Sequence, residues 1–228
     1  MESICDSKDV LPHVTSTKKE CKVNNNCNFT VKETGGLLQN ALQFKQGSLV
    51  VSNWSNNTCV GDVHLCTFGF SVSFWVYFDA VHNNLSQIFS NALSTQSSSS
   101  SSSVRGLDIH CQAPNNNYAV QCFATFKYSS AKLETEFTIT NKHWVHLVVT
   151  WHTFQSLQVI INGHLLPVIP TNITLSSSSK LSDGTVVIGA LDSPHEFYVD
   201  DLKMFDRYLD EEEARKLFGK LKEIILLI

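Results

Sequence analysis

The sequence predicts an all-β sandwich of two antiparallel sheets with one short C-terminal helix. Three observations carry that reading. Residues 70–78 (FSVSFWVYF) set Phe70, Val72, Phe74, Val76 and Phe78 against Ser71, Ser73, Trp75 and Tyr77, the period-two pattern of a strand. Similar short runs recur along most of the chain, separated by turn chemistry such as Pro114 with the asparagines at 115–117, Asn162-Gly163 and Asp183-Gly184. One stretch alone, residues 210–221, has a helical period, so strands do not alternate with helices as they would in a parallel α/β fold.

Residues 1–34 hold Cys5, Cys21 and Cys27 with little periodic hydrophobicity, and read as a loop-rich, cysteine-pinned lead-in. From Gly35 the texture is strand-like. Residues 41–44 and 48–51 flank a Lys-Gln-Gly turn, and 70–78 follow. Further strands are expected at 87–90, 104–110, 118–127, 132–140, 144–151, 157–162, 185–190 and 197–205. The serine runs at 97–103 and 176–179 read as surface loops. Residues 210–221 (DEEEARKLFGKL) open with acidic groups suited to a helix N-terminus and place Ala214, Leu217, Phe218 and Leu221 on one face. The domain is therefore expected to span 35–219, with 220–228 an apolar tail or the start of a further segment. The terminal apolar run is far shorter than the ~20 residues of a membrane span.

Composition narrows the function. The 228 residues are 43% apolar and only 17% charged, with a net charge of −4 and no basic block. A phosphate-backbone footprint is absent, so no nucleic-acid partner is expected. Seven cysteines accompany N-x-S/T triplets at Asn28, Asn53, Asn56, Asn84 and Asn172. Together they point to an oxidising, glycosylating compartment, and hence to a secreted chain or an ectodomain that meets a membrane only through segments outside this chain. Cys111 and Cys122 bracket the turn at 113–117 and would face each other across a hairpin ladder. Cys59 and Cys66 would staple the loop entering the Phe70 strand.

Several motifs in sequence resemble the laminin G-like and pentraxin superfamily. WVHLVVTW at 144–151 followed by LQVIINGHLLP at 157–167 is similar to its W-x-H-x-x-x-T-W strand and succeeding hairpin. VVIGAL at 186–191 and FYVDDLKMFDRYLDEEEARKLFG at 197–219 resemble the closing strand and helix of such domains, and FSVSFWVYF, QIFS and ALQFKQGSLV fit the earlier strands. The resemblance implies a concanavalin A-like jelly roll. Where pentraxins carry a bridging cysteine pair this chain has Val148 and Ser73, so that bridge is missing. The calcium loop of pentraxins is represented only by residues 189–201, with Asp192 and Glu196 as thin replacements. Asp200 and Asp201 stand where laminin G-like domains often have an acidic pair, so Asp192, Asp200 and Asp201 are the candidate ligands of a possible calcium ion, against which Lys45 on the opening strand argues.

Catalysis has one candidate pair. Glu134 and Glu136 share a strand face, as the acids of a concanavalin A-type glycosidase do, but they lie opposite Leu133, Phe137 and Ile139 and read as a solvent-facing row. His143, His146, His152 and His164 scatter around one strand and the next hairpin, with His146 expected to be structural. No nucleophile elbow, phosphate loop or zinc-binding helix motif is present. The resemblance then implies a non-catalytic extracellular recognition or adhesion module for a protein, glycan or matrix ligand, the alternatives being a polysaccharide-active enzyme of the same fold or a structural spacer in a multidomain adhesion protein or receptor. Tyr118, Tyr128, Phe154 and Tyr198 are candidate surface aromatics, with core or edge packing the other reading of each.

Overall fold

The computed structural model describes residues 29–32, 41–45, 48–51, 59, 63–91, 106–113, 119–128, 131–152, 156–167, 171–174, 186–190 and 193–225. The expectations for Cys5, Cys21, Cys27, Asn28, Asn53, Asn56, Tyr118, Phe154, Asp192, both serine runs and the residues after 225 lie outside these.

The described strands pair into two seven-stranded sheets. The first runs β1 (Phe29–Lys32), β2 (Ala41–Lys45), β14 (Glu196–Phe205), β4 (Phe70–Ala80), β9 (Val145–His152), β10 (Ser156–Ile161) and β11 (His164–Leu165). The second runs β12 (Thr171–Thr174), β8 (Ala131–Thr140), β7 (Ala119–Tyr128), β6 (Gly106–Gln112), β5 (Ser86–Ser90), β13 (Val186–Gly189) and β3 (Ser48–Val51). All pairings between these strands are antiparallel. The order brings the two ends of the domain together, since β14 sits between β2 and β4.

The alternation in the sequence fixes which side chains meet between the sheets. Phe70, Val72, Phe74, Val76 and Phe78 of β4 all enter the core, joined by Leu147 and Val149 of β9 and Phe197 and Val199 of β14. The second sheet contributes Ile109, Val120, Ala124, Phe126, Phe137, Ile139 and Ile188. Phe126 stacks on Trp151 across the sandwich at 4.3 Å between ring centroids. Continuous burial of apolar side chains from both sheets is what holds such a sandwich closed.

The opposite face of β4 differs from a simple polar exterior. Ser71, Ser73 and Trp75 are all buried, because the chain after β14 lies across that face. Helix α1 (Glu211–Ile225) packs Ala214 against Val148, Ile160 and Leu209, and its Phe218 ring stacks on Trp75 at 5.5 Å. The serines are tying points beneath this cover. Ser71 Oγ donates to the Arg207 carbonyl at 2.7 Å, and the Leu209 amide donates to Ser71 Oγ and Thr150 Oγ1 at 3.0 Å each. Asp210 starts the helix: its carboxylate accepts from the Glu213 amide at 2.8 Å, while Glu213 reaches back to the Asp210 amide at 3.2 Å. The helix continues beyond the expected end at Leu221, as far as Ile225.

Three short strands add to the expected set. β1 lies inside the segment read as a loop-rich lead-in and pairs Phe29 with Phe44 through Lys32 with Ala41. β12 pairs with β8 at the edge of the second sheet. Both have four residues, too few for a periodic pattern to stand out. The Asn162-Gly163 turn closes a small hairpin to β11, with both residues at positive φ (52° and 77°) as a tight two-residue turn requires.

Candidate functional site

The outer face of the second sheet is built by the alternation within β6, β7 and β8. Val120, Cys122, Ala124 and Phe126 point into the core, so Gln121, Phe123, Thr125 and Lys127 point out. On β8, Phe137 and Ile139 are inward, and Glu134, Glu136 and Thr138 are outward. Register then aligns three rows. One crosses Gln87, His110, Phe123 and Glu136, a second Gln112, Gln121 and Thr138, and a third Ser90, Asp108, Thr125 and Glu134.

Most polar groups on these rows are paired with each other. Gln112 Nε2 donates to Gln121 Oε1 at 2.8 Å, and Gln121 Nε2 donates to Glu136 Oε1 at 2.5 Å. Ser90 Oγ donates to Asp108 Oδ1 at 2.5 Å, and Lys127 Nζ lies 3.4 Å from the other Asp108 oxygen. Thr125 Oγ1 donates to Glu134 Oε2 at 3.1 Å, and Lys132 Nζ sits 2.5 Å from the same oxygen. Ser90, Asp108 and Thr125 are buried, whereas Gln112, Gln121 and Phe123 are half-buried and Glu136 and Thr138 exposed. Burial pushes the His110 imidazole below its ordinary pKa, with Lys127 adding to the shift and Asp108 opposing it, so the ring is neutral at pH 7. Phe123 is the aromatic ring set into this polar lattice. The sequence carries its signal, since the phase of 118–127 that buries Cys122 and Phe126 must turn Phe123 outward.

Glu134 and Glu136 do lie on the outward row, and the chemistry of Glu134 runs against acid catalysis. The bonded Lys132 ammonium holds its carboxyl below the ordinary range, outweighing the opposite push from burial. A glycosidase acid needs its carboxyl raised. Replacing both by glutamine is expected to change folding stability by no more than about 1 kcal/mol, the scale of an exposed ion pair. Urea unfolding of the double variant checks this, and a loss several times larger would show that the pair is structural.

The aspartate pair serves the backbone. A bulge interrupts β14 between Asp200 and Lys203, and Asp201 there has φ 49°. Asp200 Oδ1 accepts from the Asp201 amide at 2.8 Å, and Asp201 is held 2.6 Å from the Lys203 ammonium. A hard cation would have to displace Lys203, and among the described residues no three His, Cys, Asp or Glu groups converge. The pair does not fit calcium. Millimolar calcium is expected to leave the melting temperature unchanged in a thermal scan, and a rise reversed by chelation would assign these carboxylates to a cation.

The cysteine pairs are joined. Cys111 and Cys122 occupy directly opposed positions of β6 and β7 with Cα atoms 4.1 Å apart, and Cys59 bonds Cys66 with Cα atoms 4.8 Å apart. Of the candidate surface aromatics, Tyr128 is half-buried against Trp151, and Tyr198 is buried beside Tyr77 with its hydroxyl accepting from Gln43. Tyr198 is thus a packing residue, whereas Tyr128 keeps part of its surface exposed. His143 and His164 are exposed, and His152 packs edge-on to Tyr208. His146 is buried, as its place in the strand implied. His195 was not singled out in the sequence, yet it is buried where β14 begins, bonding the Cys111 carbonyl through Nε2 at 2.8 Å and accepting the His82 amide at Nδ1. Asn84 is exposed in the bend before β5, and Asn172 lies in β12.

A family model described as the concanavalin A-like lectin/glucanases superfamily, of laminin G type, matches residues 52–215. The chain belongs to this superfamily. The jelly roll described above is its fold, and the laminin G-like motifs at Trp144–Trp151 form β9 and its flank. Solved structures agree on the fold. The chain is similar to the binding domain of botulinum neurotoxin DC in complex with rat synaptotagmin II, with TM-score 0.58 and 16% identity over 86% of this chain and 45% of that one. The receptor binding domain of botulinum neurotoxin D gives TM-score 0.58 and 15% identity, over 86% of this chain and 46% of that one. The binding domain of neurotoxin DC in complex with SialylT gives TM-score 0.55 and 16% identity, over 86% and 45%. This laminin G-like chain thus spans about half the length of these neighbours. No curated protein matches it in sequence.

Proposed function

We propose that the chain is a non-catalytic extracellular recognition or adhesion module that engages a protein, glycan or matrix ligand through the outer face of its second sheet. The observation that carries this reading is the paired lattice on β6, β7 and β8, in which amides, hydroxyls and carboxylates bond to one another and Lys132 holds the Glu134 carboxyl below its ordinary range. Groups fixed before binding cost little to order when a ligand arrives. The outer face of the first sheet is less suited, because α1 covers part of it. The structural neighbours are named as binding domains, one in complex with synaptotagmin and another with SialylT, which supports recognition without specifying this chain's ligand. Two disulfides and an exposed N-x-S acceptor at Asn84 support residence outside the cytosol. Among the described residues no helix is long and apolar enough to cross a membrane.

The test is Thr138→Arg, which plants a long cation on the exposed part of the face without touching the core. Binding to a panel of purified matrix proteins and glycans is expected to be lost in this variant and kept in Lys216→Glu on α1. Binding that survives Thr138→Arg and fails in Lys216→Glu would move the ligand to the other face.

A further inference from the structure

We infer that Asn84 is an N-glycosylation site whose sugar is attached before β5 and β6 pair. This goes beyond the recognition reading and shares with it only residence in a glycosylating compartment. Residues 81–85 join β4 of the first sheet to β5 of the second, so they lie at an end of the sandwich and on neither face. Both feet of this arch are fixed. Val81 packs against the core, and Ser86 is buried as the first residue of β5. Between them the His82 amide donates to His195 Nδ1 at 3.3 Å, and the His82 carbonyl accepts from the Ala113 amide at 2.8 Å. Asn83, Asn84 and Leu85 stand exposed beyond those bonds. The Asn84 side chain makes no hydrogen bond among the described residues, so a substituent on Nδ2 displaces no partner. Only one of the two crest asparagines qualifies as an acceptor. Asn84-Leu85-Ser86 has a hydroxyl two residues on, whereas Asn83-Asn84-Leu85 has leucine there.

The co-substrate is an oligosaccharide carried on a polyprenyl pyrophosphate, and the catalyst is a lumenal oligosaccharyltransferase. Asn84 Nδ2 attacks the anomeric carbon, the C1–O bond to pyrophosphate breaks, and polyprenyl pyrophosphate leaves with that electron pair. The amide gives up one proton, and nothing is oxidised or reduced. The fold sets when this can happen. Ser86 is 7% exposed and registers opposite Cys111, which its bridge to Cys122 ties to β7. An enzyme that must read Asn84 together with the Ser86 hydroxyl needs that hydroxyl clear of its neighbours. Once β5 and β6 pair, it is not. Ser86 leaves the ribosome before Cys122, and at about 5–20 residues per second the stretch between them takes on the order of seconds. Transfer belongs to that interval, ahead of the hairpin disulfide. After folding, the bulky hydrated group remains at the end of the sandwich, where it meets solvent.

The experiment expresses the full chain through the secretory pathway of glycosylating cells and treats the purified product with peptide-N-glycosidase in oxygen-18 water. Each glycosylated asparagine is converted to labelled aspartate, which mass spectrometry locates. The label is expected at position 84 and not at Asn83. Asn84→Gln should lose that glycan alone and keep the wild-type urea midpoint. Ser86→Ala should lose the glycan with Asn84 still in place, and Ser86→Thr should keep it. Timing is read in two further samples. The Cys111→Ala, Cys122→Ala double variant, measured in cell lysate whether or not it folds, should carry at least as much sugar at Asn84 as the wild type. Folded chain secreted in the presence of tunicamycin, then incubated with microsomes and the lipid-linked donor, should take up none there. Unlabelled Asn84 in the secreted wild type overturns the site. If other triplets are labelled in that sample, the extracellular reading stands and this site alone fails. Sugar that persists at Asn84 in Ser86→Ala overturns the triplet as its signal, and sugar accepted there by the folded chain overturns the order of events. The Thr138→Arg test of the ligand surface is independent of all these results.

Discussion

Replacing Cys111 and Cys122 by alanine is expected to lower the unfolding free energy by about 3 kcal/mol, the loop-closure entropy of a bridge this short. The two residues are 11 apart in sequence, sit opposite each other in β6 and β7, and are 2% and 0% exposed. Part of the loss comes from the larger ensemble open to the unfolded hairpin once the link is gone. Another part is packing, since two sulfurs leave a core lined by Phe137 and Ile139. The same bridge underlies Phe123 and His110, which adjoin Cys122 and Cys111 on the opposite face. Its loss should loosen the outer face of the second sheet as well as the core. Urea unfolding of the wild type and the double variant measures the first effect, and amide exchange in β6 and β7 the second. Equal stability, or peptide mapping that recovers both cysteines as free thiols from secreted material, would contradict this assignment.

Acid should destabilise the fold through His146 by a similar amount. The imidazole is buried beneath α1, between Trp75 at 5.1 Å and Phe218 at 6.1 Å. Nε2 bonds Ser73 Oγ at 2.9 Å, while Nδ1 has no hydrogen-bond partner among the described residues, so a second ring proton would find no acceptor. Burial, with a smaller contribution from the Lys203 charge, lowers its pKa from 6.5 to about 4. The folded chain then holds this ring neutral while the unfolded chain protonates it. Stability is fully present above pH 6.5 and is lost as pH falls towards 4, by about 3 kcal/mol in all. Buried His195, also held below its ordinary pKa by desolvation, acts in the same direction. Chemical denaturation at pH 7.0 and 4.5 should show the loss, and His146→Gln should flatten the slope. Flat stability over that interval, or an NMR titration of His146 centred near 6.5, would contradict the burial argument.

Much of this fold was legible in the sequence because the core strands are long and strictly alternating. Residues 70–78 and 132–140 specify which side chains face inward with no help from context. The Asn162-Gly163 turn, the Asp210 cap and the opposition of Cys111 to Cys122 are local signals of the same kind. What escaped depends on contacts distant in sequence. Ser71, Ser73 and Trp75 have the alternation of an exposed face, and only the passage of residues 207–218 over them makes them interior. Asp200 and Asp201 resemble a cation site until the bulge assigns one carboxylate to the backbone and the other to Lys203. Phe123 has the inverse history: its outward phase can be read from β7 alone, but its neighbours His110 and Glu136 are set only by the register.

Recognition without turnover is tested most directly by incubating the purified chain with a panel of α- and β-glucan, galactan and glycosaminoglycan oligosaccharides and following bound and free sugar by mass spectrometry. A binding module returns every oligosaccharide at its original mass, including the fraction retained by the protein. Shortened products that form with time and disappear in the Glu134→Gln, Glu136→Gln double variant would show a working carboxylate pair, and the face would then be an active site.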